Sequence, residues 1–187
     1  MMSTLNGKKV LIITSNTGIE RDELLKPLQA LKGMGATVTH ATIKGGEAQT
    51  FVGDTEKDTS VDSDTRLAGL SAADFDALVI PGGTVNADTL RQDADAQRLV
   101  KEFANAQKII AAICHGPWLL IDAGVIAGKT LTSYPSVRID LKNAGAADWV
   151  DSEVKQCGAN DWTLITSRTP KDLPAFNEAI GNALQAA

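Results

Sequence analysis

The chain has 187 residues, 43% of them hydrophobic, enough for one domain with a sizeable core and too few for two. Eighteen Lys and Arg stand against 23 Asp and Glu, a formal charge of -5, and no basic cluster overrides that balance, which argues against nucleic-acid binding. No run of about 18 apolar residues occurs, and MMSTLNGKK lacks the apolar stretch of a signal peptide, so a soluble cytoplasmic protein is expected, with Met1–Lys9 as a polar lead-in.

The elements follow in order. Lys9–Ser15, KVLIITS, predicts a central parallel strand. Leu24, Leu28 and Leu31 recur at helical spacing until Gly33 and Gly35, although Pro27 leaves the start of that helix open. Strands are expected at Ala36–Ala41, at Phe75–Ile80 before Pro81-Gly82-Gly83, and at Lys108–Ile113 before Cys114-His115-Gly116-Pro117. Between the last two, Leu90–Gln107 is mostly helical, with Leu99, Val100 and Phe103 inward. Thr130–Tyr134 and Trp162–Ser167 predict further strands, and Phe176, Ile180 and Leu184 mark one face of a C-terminal helix. Val154–Gln156 and Trp162–Ile165, flanking a turn with Gly158 and Asn160, predict an antiparallel hairpin. Strands separated by helices imply a single α/β domain over 1–187, its mainly parallel sheet covered on both faces.

DTEKDTSVDSDT, starting at Asp54, alternates acidic residues, but its sixth place is Thr59 and its twelfth Thr65. It lacks the Gly and Glu of an EF-hand and predicts a solvated acidic loop. With two His and two Cys at none of the usual ligand spacings, no metal site is expected. The absence of GxGxxG and GxxxxGK[ST] argues against a nucleotide cofactor.

AAICHGPWLLIDAG holds most of the chemistry. Cys114 follows a buried strand and precedes a helix, with small residues, Ala112 and Gly116, two places to either side. Such a turn presents a nucleophile outward, and the following helix directs N–H groups at the sulfur, favouring thiolate. The alternative is a buried structural cysteine. His115 serves either acid–base chemistry or structural anchoring. Trp118 shapes the pocket or packs on the sheet. His40 is expected at the surface or in packing, and Cys157 in a hairpin turn without a catalytic role.

The segments KVLIITSNTGIERDEL, FDALVIPGG, VNADTLRQD, AAICHGPWLLIDAG, LTSYPSVRIDLKNAGAADWVD and LITSRTPKDLPAF, in this order and spacing, resemble the DJ-1/PfpI superfamily and its PfpI-like branch. The resemblance implies a flavodoxin-like three-layer sandwich with a nucleophile-elbow cysteine and an added β-hairpin. It implies Glu20 as the acid pointing at Cys114, against an N-terminal helix residue as the bottom-up alternative. It also implies an oxyanion site from the N–H groups of Gly83 and His115, where Gly82 and Gly83 otherwise serve only as a turn. Asp88 falls where the family places a carboxylate that partners His115 across a subunit interface; a helix cap is its other reading. Tyr134 lies at a family pocket edge, in a Tyr134-Pro135-Ser136 segment of architectural role. The implied activity is cofactor-independent cysteine hydrolysis of glyoxal, methylglyoxal or glycation adducts in stress protection, by a homodimer. Intracellular peptidase and non-enzymatic redox sensor or chaperone are the alternatives.

Overall fold

The structure, a computed structural model, describes residues 4–187. Its central sheet has seven strands. In chain order they are β1 (Lys9–Thr14), β3 (Thr37–Thr42), β6 (Thr65–Arg66), β7 (Ala77–Ile80), β8 (Ile109–Ile113), β11 (Lys155–Cys157) and β12 (Leu164–Ser167). They lie in the order β11-β12-β8-β7-β1-β3-β6, all pairs parallel except β11 with β12. That antiparallel pair joins Lys155 to Thr166 and Cys157 to Leu164, in the region expected to form a hairpin.

Successive strand residues face opposite layers, which is why these apolar runs form central strands. Leu11 and Ile13 of β1, Leu78 and Ile80 of β7, and Ile110 and Ala112 of β8 enter one core cluster. Val10 and Ile12, Ala77 and Val79, and Ile109, Ala111 and Ile113 enter the other. Helices α1 (Arg21–Gly33) and α6 (Leu173–Ala186) cover the second cluster through Leu24, Leu31, Phe176, Ile180 and Leu184. On the first lie α2 (Thr84–Arg91), α3 (Ala94–Asn105), α4 (Pro117–Asp122) and α5 (Arg138–Asn143), through Leu90, Leu99, Val100, Phe103, Leu119 and Leu141. The result is an α/β sandwich.

Several expectations shift. Leu90–Gln107 is two helices, because Asp93 caps α3 by accepting from the Ala96 N–H at 2.9 Å. Pro27 sits inside α1, buried, rather than at its start. Residues 1–3 of the Met1–Lys9 lead-in lie outside the described residues. Leu5 is buried, its N–H donating to the Met34 carbonyl at 2.6 Å, so that part is more than a polar tether. The acidic segment is no loop. Glu56–Asp62 is strand β5, antiparallel to β4 (Glu47–Val52), which pairs in parallel with β2 (Thr17–Glu20) in a separate three-stranded sheet. Its charges are used locally, Asp58 by Arg21 at 2.9 Å and Asp64 by the His40 N–H at 2.8 Å. A short parallel pair, β9 (Thr130–Leu131) with β10 (Asp148–Trp149), completes the fold.

Candidate active site

Strand order places the site. From β1 the sheet grows through β3 to one side and through β7 and β8 to the other, so the carboxyl ends of β1 and β7 open a crevice where α/β sheets bind ligands. Pro81-Gly82-Gly83 leaves β7 and Cys114 leaves β8, side by side. Asn86 staples this corner: it accepts from the Ser15 N–H at 2.7 Å and donates to the carbonyls of Pro81 and Gly82 at 3.2 and 2.9 Å. Of the two polar residues in VNAD, Asn86 is the buried one.

Cys114 adopts φ 63°, a left-handed conformation that a side chain occupies at a cost. It is held there from both sides. Its N–H donates to Ser167 O at 3.0 Å, and its carbonyl accepts from the Tyr134 N–H at 2.9 Å. Gly116 admits the tight turn, since a Cβ there would lie 2.7 Å from Ile80 O and 2.9 Å from Ile113 O. Gly83, at φ 89°, brings its own backbone against Gly18 and Glu20.

The carboxyl that meets the sulfur belongs to Glu23, not Glu20. Glu23 is fully buried in the first turn of α1, its Oε2 accepting from the Gly82 N–H at 2.7 Å, with its carboxyl lining the same pocket as Cys114. Glu20, at the end of β2, instead accepts from the Gly53 N–H at 3.0 Å at the rim of the pocket. Burial pushes the Glu23 carboxyl up to about 8, helped by the negative charge of Glu20. Burial likewise pushes the Cys114 thiol up, with the Glu23 charge acting in the same direction and the N–H groups of Gly83 and His115 opposing it. Two adjacent anions in one buried site cannot both form, so the pair holds at most one negative charge. The thiolate expected from the sequence therefore requires Glu23 to keep its proton. Cys114 is only 7% exposed, and burial is the largest influence on its thiol, ahead of the donors aimed at it.

The Nδ1 of His115 lies 3.2 Å from Cys114 Sγ, and its Nε2 is 3.3 Å from Ser136 Oγ. Burial holds this imidazole below its ordinary value, against the pull of Asp54, which keeps it neutral and able to take a proton. Tyr134 stacks on the ring at 4.7 Å, and Trp118 meets it edge-on at 5.0 Å while donating to Asp140. Trp118 thus props the histidine from behind. Asp88 does not meet His115 within the chain: it is exposed on α2, its carbonyl accepting from Gln92. The acid acting on His115 is Asp54, at the β4–β5 turn, which bonds the Thr84 N–H and hydroxyl at 2.8 and 2.6 Å. Sequence reasoning missed Glu23, Asp54, Asn86 and this contact of Ser136. The Glu20/Glu23 pair in SNTGIERDEL was the one visible signal.

These groups enclose a pocket of about 190 Å³ lined by Glu20, Glu23, Gly53, Asp54, Gly83, Cys114, His115, Tyr134 and Pro170. Gly82 and Gly116 stand behind its wall, close to Cys114 and Ile113 respectively. No group of three or more His, Cys, Asp or Glu able to hold a metal occurs among the described residues.

A mainly parallel α/β sandwich with a cysteine and a histidine at the turn leaving a central strand defines a recognisable class of flavodoxin-like domain. The chain belongs to the DJ-1/PfpI family, whose model matches residues 8–183. It is similar to General stress protein 18 of Bacillus subtilis (strain 168), 40% identical over 91% of this chain and 94% of that protein. It is also 39% identical to Protein/nucleic acid deglycase 2 of Escherichia coli (strain K12), over 91% of this chain and 94% of that one. Among solved structures, a two-domain protein of Anabaena variabilis ATCC 29413 with DJ-1/ThiJ/PfpI-like and ferritin-like domains superposes with a TM-score of 0.85 and 33% identity. That superposition covers 95% of this chain and 48% of that longer one.

Proposed function

We propose that the protein is a cysteine-dependent hydrolase of small reactive carbonyl compounds or their amine adducts. The observation that carries this reading is the convergence on one sulfur of a proton acceptor, a carboxyl and two N–H donors, in a pocket of about 190 Å³. Burial opposes the thiolate, so the thiol proton must have an acceptor as the bond forms. His115 Nδ1, 3.2 Å away, is the group placed to take it. Sulfur attacks the carbonyl carbon, the C=O electron pair moves onto oxygen, and the N–H groups of Gly83 and His115 stabilise that charge. With glyoxal the adduct is a hemithioacetal. Moving its carbon-bound proton to the neighbouring carbonyl carbon and its hydroxyl proton to that carbon's oxygen, with Glu23 as carrier, leaves a hydroxymethyl thioester. Water then releases glycolate and regenerates the thiol, so glyoxal and one water balance the acid formed.

A peptidase needs an extended groove, and this pocket is smaller than the roughly 300–1,000 Å³ of sites for larger ligands. A dimer in which Asp88 approaches a neighbouring subunit's site is part of the proposal, and light scattering that finds a monomer would remove it. The decisive experiment is glyoxal turnover by Cys114→Ala. Loss of at least about a hundredfold is expected for removal of a covalent nucleophile. Turnover equal to wild type would refute the hydrolase.

A further inference from the structure

The pocket wall is one-sided in charge. Three carboxyl side chains line it, those of Glu20, Glu23 and Asp54, and no Lys or Arg does. Glu20 and Asp54 are held in place by the β4–β5 turn: the Gly53 N–H fixes the first, and Thr84, at the start of α2, fixes the second. A second observation points to a ligand. Glu23 spends Oε2 on the Gly82 N–H, while its buried Oε1 has no hydrogen-bond partner. A buried polar oxygen left unpaired is costly, and a hydrogen-bonding group on whatever fills the pocket would satisfy it.

We propose that Glu20 and Asp54 form a charge filter and Glu23 Oε1 a docking point for a hydrogen-bonding group of the substrate. The pocket then takes neutral or cationic carbonyl compounds and turns away carbonyl acids. This inference rests on the cysteine–carbonyl reading for its substrates, but its electrostatics are tested without turnover. An enclosed, low-dielectric cleft lined by one sign of charge focuses that field on entering ions.

The experiment measures mixed-disulfide formation at Cys114 in full-length Cys157→Ser protein, by mass spectrometry, with three methanethiosulfonates. These carry a neutral methyl, a cationic aminoethyl or an anionic sulfonatoethyl group. At low salt the cationic reagent is expected to outpace the anionic one by at least about tenfold after correction for their rates with free cysteine. Raising ionic strength from about 0.01 to 1 M, which shortens the screening length from roughly 30 to 3 Å, is expected to compress that ratio. Asp54→Asn and Glu20→Gln are each expected to reduce it about three- to tenfold. Equal rates for the two charged reagents would overturn the filter, as would a ratio insensitive to salt and to both variants, or no labelling by any reagent. In parallel, wild type is expected to discriminate against glyoxylate relative to glyoxal, and Asp54→Asn to relax that discrimination. Charge-selective labelling without glyoxal turnover leaves the filter standing and removes the hydrolase; turnover with unselective labelling does the reverse.

Discussion

Glu23 and Cys114 form a buried acid pair in which burial opposes both ionisations and the Glu23 charge further opposes that of the thiol. Glu23→Gln keeps the shape and the capacity to donate toward sulfur while deleting the competing negative charge. Thiolate formation, followed by ultraviolet absorbance, is therefore expected to move to lower pH in that variant. A shift to higher pH would mean that the carboxyl donates a stabilising proton to a thiolate at rest. Why the sequence pointed to the wrong glutamate is also a matter of local geometry. Glu20 and Glu23 are three residues apart, a spacing that puts both on one side of a helical turn. Helix α1 begins only at Arg21, so Glu20 belongs to β2 and stays at the rim while Glu23 is carried inward. Similarly, VNAD offered two polar residues to the interior, and the helix phase of α2 turned Asn86 in and Asp88 out.

At the scale of elements, the sheet was legible wherever strands were buried on both faces, since Val10–Ile13 of β1 and the whole of β7 and β8 are unbroken apolar runs. The β4–β5 ribbon was not. Glu56–Asp62 reads EKDTSVD, rich in residues disfavoured in strands, and owes its conformation to pairing with β4 rather than to burial. The tip of that ribbon carries Asp54, so missing the strand meant missing an acidic wall of the pocket. The two turns that face each other across the site depend on the absence of side chains. A methyl at Gly116 would press on the carbonyls of Ile80 and Ile113, and one at Gly83 would meet backbone at a positive φ. Gly116→Ala and Gly83→Ala are each expected to destabilise the fold by about 2 kcal/mol or more. Thermal melts would check this, and a wild-type midpoint in either variant would show that the turns relax freely.

For the whole molecule, two buried groups set opposing pH limits. His40, 1% exposed with Nε2 2.8 Å from Thr14 Oγ1, is pushed down by burial from 6.5 to about 4. Its contribution is whole above pH 6.5 and is lost as pH falls through 4, on the order of 3 kcal/mol. Glu23, raised from 4.5 to about 8, works in the other direction: its contribution is whole below pH 4.5 and is lost as pH rises through 8. The two slopes cancel between 4.5 and 6.5, so stability from these groups is expected to be flat there and to fall on either side. Melting temperature against pH tests this. Glu23→Gln should abolish the decline between pH 6.5 and 8, and a decline that persists would assign it to other groups. One last feature bears on how copies of the chain avoid one another. Strand β5 is the outer member of its sheet, with backbone groups on one side unpaired by β4, and it carries Glu56, Lys57, Asp58 and Asp62. Mutual repulsion along this border keeps it from serving as a template for foreign strands. Exchanging its acids for Val or Ile would turn the protein's most soluble-looking stretch into a seed for fibres.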